Sequence, residues 1–133
     1  MAISPEFAAL GDESFVSLTT FRKSGERVST PVWIARDGDD LIVTTPEESG
    51  KVKRLRNSGR VELAPSTRMG AVKDGAVAVP AFARIHGDAA SVEKLGRTFL
   101  AKYRLEYRVF MVIEAIVAKR RKPRVILRIT PTL

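Results

Sequence analysis

The amino-acid sequence predicts an α+β protein: an antiparallel sheet of six strands curled into a small barrel, with about three helices around it. Three observations predict it. Six segments alternate apolar and polar residues or are rich in β-formers. Strands and helices do not follow the βαβ order that builds a parallel sheet. The strands of the first third are joined by short turns, as antiparallel neighbours are. At 133 residues, 44% of them apolar, one domain spanning residues 1–133 is expected, with enough apolar side chains for a core.

The elements follow in order. Phe15–Phe21 alternates and reads as a strand, closed by the turn residues Lys23-Ser-Gly-Glu26. Arg27–Ala35 alternates again, with Val28, Thr30, Val32 and Ile34 on one face and Ser29, Pro31 and Trp33 on the other. Pro31 has no N–H to donate, so the strand is expected to lie at an edge or to bulge there. Asp37-Gly-Asp-Asp40 is a second turn, and Leu41–Thr45 a third strand. Thr45-Pro-Glu-Glu48 fits a capping box with proline at the first helical position, opening a helix that runs to Asn57 with Val52 and Leu55 inward. Arg60–Ala64 is a fourth strand, Ser66–Gly75 a loop, and Ala76–Gly87 a fifth strand interrupted by Pro80. Asp88 or Ser91 is placed to cap a helix reaching about Arg104, on which Val92, Leu95, Phe99 and Leu100 recur at helical spacing. Glu106–Arg121 reads as a further helix and Arg124–Thr130 as the last strand.

Composition excludes several chemistries. There is no cysteine, so disulfides, cysteine-ligated zinc and thiol catalysis are ruled out. His86 is the sole histidine, which leaves no multi-histidine metal site within one chain and a single imidazole for any triad. Its reading is structural. The net charge is +8, and ten of the 23 basic residues fall in two short blocks. One holds Lys51, Lys53, Arg54, Arg56 and Arg60; the other holds Lys119, Arg120, Arg121, Lys122 and Arg124. Such blocks attract phosphorylated small molecules, nucleic acid or acidic lipid. Against nucleic acid, aromatic residues are 7% and are not interleaved with the basic ones. No apolar run is long enough to span a membrane and the first residues carry no basic region ahead of an apolar one, so the expected location is the cytoplasm.

Two segments are candidates for binding. Ser49-Gly50-Lys51 stands at a helix start, where unpaired amides, a hydroxyl and an ammonium suit a phosphate. The competing reading is a solvated basic helix, and Glu47 and Glu48 would repel an anion if they faced it. Ser29, Pro31 and Trp33 share a strand face that suits an aromatic ring system, although a lone tryptophan is more often part of a core.

Phe7–Asp12 (FAALGD), Ser17–Phe21 (SLTTF), Val28–Trp33 (VSTPVW), Ser49–Arg56 (SGKVKRLR) and Arg60–Pro65 (RVELAP) together resemble one group. It is the actinobacterial flavin/deazaflavin oxidoreductases of the pyridoxamine-phosphate-oxidase-like superfamily, in the branch that uses coenzyme F420. The resemblance implies an FMN-binding split β-barrel that forms a homodimer, with a cofactor groove at the interface. It implies that Ser49 and Lys51 hold the cofactor phosphate, with Val52 beside them in the same motif. Thr44 and Thr45 would lie near the phosphate and ribityl chain. Ser29, Thr30, Pro31, Val32 and Trp33 would line the tricyclic ring. By charge and position, Lys53, Arg54 and Arg56 would meet the acidic tail of F420. The activity implied is hydride transfer between F420 and a small unsaturated or quinone-like substrate. FMN is the alternative cofactor, and a carrier without turnover the alternative role. Residues Phe99–Leu133 show no counterpart of the vitamin B6 substrate residues, so oxidation of that vitamin is not expected.

Overall fold

The computed structural model describes residues 5–103 and 124–131. The predicted helix over 106–121 and four of the five residues of the second basic block, 119–122, lie outside them. In chain order the elements are α1 (Pro5–Leu10), β1 (Phe15–Phe21), β2 (Arg27–Asp37), β3 (Asp40–Pro46), α2 (Gly50–Asn57), β4 (Arg60–Pro65), β5 (Val79–His86), α3 (Ala89–Tyr103) and β6 (Arg124–Thr130). All six strands pair antiparallel in the closed order β1-β2-β3-β6-β5-β4, so the expected barrel forms.

Closure depends on β2, which is long enough to serve two partners. Its Arg27–Trp33 stretch pairs with β1 and its Ile34–Asp37 stretch with β3. Pro31 falls in the first stretch, opposite Ser17, where β2 has no β3 neighbour, so its missing N–H breaks no ladder on that side. The alternation of β2 then sorts its side chains. Val32 and Ile34 enter the barrel with Val16, Leu18, Leu41, Val43, Val61, Leu63, Leu127 and Ile129. Val52 and Leu55 of α2 and Phe7 and Leu10 of α1 complete that core.

The sequence reading did not identify α1. Its signature is short: proline first, two apolar residues three apart, and Gly11 just past the end. A second, smaller core lies outside the barrel wall, where Leu95, Phe99 and Tyr103 of α3 pack on Ala35, Ile42 and Ile126. The inward positions expected for this helix are thus largely borne out, with Tyr103 added.

The start of α3 is fixed by Asp88, whose carboxylate accepts from the Ser91 N–H at 2.9 Å. That bond holds the Asp88 carboxyl below its ordinary value. A carboxylate with a depressed folded-state pKa adds stability above the unfolded-state pKa and loses it as the pH falls through the folded one. Asp88→Ala is therefore expected to lower the melting temperature at neutral pH, and the gap to the parent protein should close in acid. Melting curves at the two pH values check this; an equal gap at both would show that the carboxylate charge contributes nothing.

Candidate functional site

The helix start after β3 differs from the capping box that the sequence predicts. Thr45 and Pro46 are residues of β3, paired with Val125 and Arg124 of β6, so Thr45 cannot cap a helix. Glu47 and Glu48 lie in an exposed turn. The cap is Ser49, in extended conformation, whose Oγ accepts from the Val52 N–H at 3.4 Å. It also accepts from Thr45 Oγ1 at 3.3 Å. Both lone pairs of Ser49 Oγ are then engaged, and its own proton remains for an outside acceptor.

Cations gather at this helix start. Lys51 is half-buried, and burial together with the guanidiniums of Arg54 and Arg124 pushes its ammonium below the ordinary lysine value. Arg124 comes from β6: its Nε donates to Thr44 Oγ1 at 3.1 Å and its Nη2 to the Thr44 carbonyl at 3.3 Å. Arg54 Nε donates to Thr20 Oγ1 at 2.6 Å. The other end of that guanidinium reaches back to the helix start, where a Cβ on Gly50 would meet Arg54 Nη1 at 2.8 Å. Among the described residues no carboxylate makes an ion pair with Lys51 or Arg54, Glu47 and Glu48 included. The result is a set of donors: one hydroxyl proton, one ammonium, two guanidiniums and the first amides of α2.

The geometry tests Gly50 directly. Gly50→Ala places a methyl where the Arg54 guanidinium lies, so it should weaken anion binding at this helix start. Alanine is the better helix former, so the melting temperature should not fall. Isothermal titration with inorganic phosphate or a phosphorylated cofactor, beside a melting curve, separates the two effects.

The structure gathers Thr44, Thr45, Ser49, Lys51 and Arg54, and divides the rest. At about 100° per residue along α2, Lys51 and Arg54 flank one side of the buried Val52–Leu55 stripe and Lys53 and Arg56 the other. Lys53 and Arg56 are exposed. Val52 is fully buried in the barrel core, as Val32 nearly is, so neither side chain reaches the outer surface. Thr30 also points inward, and its buried Oγ1 has no hydrogen-bond partner among the described residues.

On the outer face of β2, Ser29 and Pro31 are exposed. Ser29 Oγ lies 2.6 Å from Thr19 Oγ1. Gly70, with φ at +93°, lets the 66–75 loop turn down onto Pro31, whose Cδ a Cβ there would meet at 3.3 Å. Trp33 is not an open platform. It stacks on Tyr103 at 5.3 Å and tilts against Phe15 at 6.3 Å. Arg124, absent from the expected site residues, belongs to the cluster. The sequence placed it in the second basic block, and only the pairing of β3 with β6 brings it to the first.

A closed six-stranded antiparallel barrel with helices at its ends and side is an α+β split barrel. The family model described as pyridoxamine 5'-phosphate oxidase matches residues 3–133, so the chain belongs to that family. Solved structures with the same fold include a conserved hypothetical protein from Mycobacterium tuberculosis, 20% identical, at a TM-score of 0.68 over 98% of this chain and 81% of that one. An F420 reductase is 18% identical, with a TM-score of 0.60 over 98% of this chain and 97% of that one. General Stress Protein 26 from Bacillus anthracis is 16% identical, with a TM-score of 0.60 over 94% of this chain and 85% of that one. At these identities the likeness shows the fold alone. The search of curated proteins finds no match. No helix among the described residues is long and apolar enough to cross a membrane.

Proposed function

We propose that the protein is a cytoplasmic oxidoreductase that binds coenzyme F420 and transfers hydride to a small unsaturated or quinone-like substrate. It works as a homodimer whose cofactor groove lies between the two chains, and no nucleic acid takes part. The observation that carries the reading is the cluster of donors at the start of α2, which is built for a phosphate. Ser49 offers its proton, Lys51 and Arg54 offer charge with no ion-paired carboxylate among the described residues, and Arg124 is anchored beside them by Thr44. Family membership and the fold shared with an F420 reductase support the choice of a deazaflavin. The acidic tail of F420 is assigned to Lys53 and Arg56 on the exposed side of α2, with Arg54 turned to the phosphate, and the ring to the outer face of β2 around Ser29 and Pro31, with Thr30, Val32 and Trp33 on the same strand.

When bound, F420 supplies the hydride chemistry. The chain's own residues bind and orient it: the donor cluster fixes the phosphate, and the 66–75 loop leaning on Pro31 bounds one side of the strand face. FMN also carries a phosphate on a ribityl chain, so the donor cluster suits it too, and FMN is the alternative occupant.

Titration of the protein with F420 and with FMN, each followed by the ligand's own absorbance and fluorescence, tests the reading. Micromolar binding of F420 in preference to FMN is expected. Failure to bind either would overturn it. Steady-state oxidation of reduced F420 with a panel of enones and quinones then separates an enzyme from a carrier.

A further inference from the structure

The last residues of β1 gather arginines from three other elements. Thr20 Oγ1 accepts from Arg54 Nε of α2 at 2.6 Å. Phe21 comes next, on the outer face, opposite Arg27 of β2. Two guanidiniums cover its ring: Arg60 Cζ of β4 lies 4.1 Å from the centroid and Arg27 Cζ 5.6 Å from it. Arg22 follows on an exposed turn, where its Nε pairs with Glu26 Oε1 at 3.2 Å, and Lys23 beside it is exposed. Glu62 joins Arg27 to Arg60. Its Oε1 accepts from Arg27 Nη1, and its Oε2 lies 3.8 Å from Arg60 Nη2. The Glu62 side chain is only 15% exposed, while those of Arg27 and Arg60 are 60% and 55% exposed, so both arginines keep N–H groups open to a partner. Four guanidiniums and an ammonium thus meet two carboxylates.

We propose that Arg22, Arg27 and Arg60 form a docking surface for an acidic segment of a partner protein, with Glu62 as a built-in competitor for it. The Phe21 ring and Glu62 hold Arg27 and Arg60 in place before any partner arrives, so docking costs these side chains little further freedom. A guanidinium fork matches a carboxylate through two parallel bonds, and Glu62 already occupies the pair in this way in part. The excess positive charge calls for an anionic partner, and the surroundings choose among such partners. The exposed large apolar side chains among the described residues are Met69, Val72 and Val77, which all follow the far end of β4 from Arg60, so this surface has no apolar anchor for a bilayer. Phe21 is 6% exposed, so its ring offers no face for a nucleobase to stack on. A polypeptide bearing carboxylates fits what is left. The surface uses neither Lys51 nor the start of α2, so it does not depend on the cofactor reading.

The test is titration of a fluorescein-labelled oligoglutamate peptide with the full chain, followed by anisotropy at low and at high salt. Saturable binding that weakens with salt is expected. Arg27→Glu and Arg60→Glu should each weaken it at least about fivefold, the loss of one attraction and the gain of one repulsion. Lys94→Glu makes the same charge change on the exposed side of α3 and should leave the affinity at the parent value. Glu62→Gln should tighten binding about two- to fivefold, because it frees both guanidiniums from their internal ion pair. That gain cannot come from a damaged fold. No binding at low salt, an equal loss from Lys94→Glu and Arg60→Glu, or no gain from Glu62→Gln would overturn the proposal. Tighter binding of a DNA duplex or of phosphatidylglycerol vesicles, with the same dependence on Arg27 and Arg60, would overturn the assignment to a polypeptide. Arg27 and Arg60 lie outside the residues assigned to F420, so both variants should bind F420 as the parent does.

Discussion

Lys51→Ala is expected to weaken the binding of a phosphorylated cofactor about tenfold to 150-fold, since a charge-assisted hydrogen bond contributes about 1.5–3 kcal/mol. The fold should not suffer. The Lys51 ammonium makes no ion pair or hydrogen bond with the described residues, and it repels Arg54 and Arg124. Removing it relieves that repulsion, so the melting temperature should hold or rise. A titration beside a melting curve distinguishes this from a damaged fold, in which both would fall. Unchanged affinity would place the phosphate elsewhere.

The same residue sets a pH dependence. A lysine whose folded-state pKa lies below its unfolded value destabilises the fold while charged, and the penalty is relieved as the pH rises through the folded value. Anion binding runs the other way, because it needs the ammonium. Affinity should therefore fall as the pH rises through the lowered Lys51 value, earlier than for an ordinary lysine. Lys51→Arg, which stays charged, should flatten that fall. A parent protein and Lys51→Arg variant with the same pH profile would show that Lys51 is not the group that titrates.

Much of the barrel was legible because strand alternation is a local signal. The period of two in β2 marked its inward and its outward residues, and Pro31 marked a stretch with one free side. The errors at the helix start have a nonlocal cause. Thr45-Pro-Glu-Glu48 satisfies the capping-box pattern, and nothing within those residues reveals that Thr45 pairs with Val125 eighty positions away. Once the β3–β6 ladder holds Thr45 and Pro46, the helix starts later and Ser49 becomes the cap. The same ladder moves Arg124 from one basic block to the other. α1 was missed for a different reason. Six residues with two buried side chains give too short a window for a helical period to stand out. Grouping Lys53, Arg54 and Arg56 as one set followed charge along the chain. The helical period puts Arg54 with Lys51 instead.

The second large effect concerns the outer core, where β2 changes partner. Between Trp33 and Ile34 the strand leaves β1 for β3, and the Ile34 peptide groups turn to α3 for bonds. The Ile34 N–H donates to Tyr103 Oη at 3.0 Å. The Ile34 carbonyl accepts from Lys102 Nζ at 2.6 Å, and Tyr103 Oη lies 2.6 Å from it and 2.7 Å from the Ser14 carbonyl. Phe99 holds this arrangement from beneath. It is fully buried, parallel to Tyr103 at 6.2 Å, against Ala35, Ile42 and Ile126. Phe99→Ala should cost about 3–5 kcal/mol through lost burial and the cavity left behind. That is a large share of a typical total of about 5–15 kcal/mol, and the melting temperature should drop by more than about 10 °C. Tyr103→Phe keeps the ring and removes only the hydroxyl, which leaves the Ile34 N–H without its partner, at about 1–3 kcal/mol. The order of the two variants carries the argument. If α3 is held mainly by its apolar face, Phe99→Ala is the more damaging. If the polar seam at the partner change of β2 dominates, Tyr103→Phe matches or exceeds it, and the closure of the barrel depends on α3 as well as on its own strands.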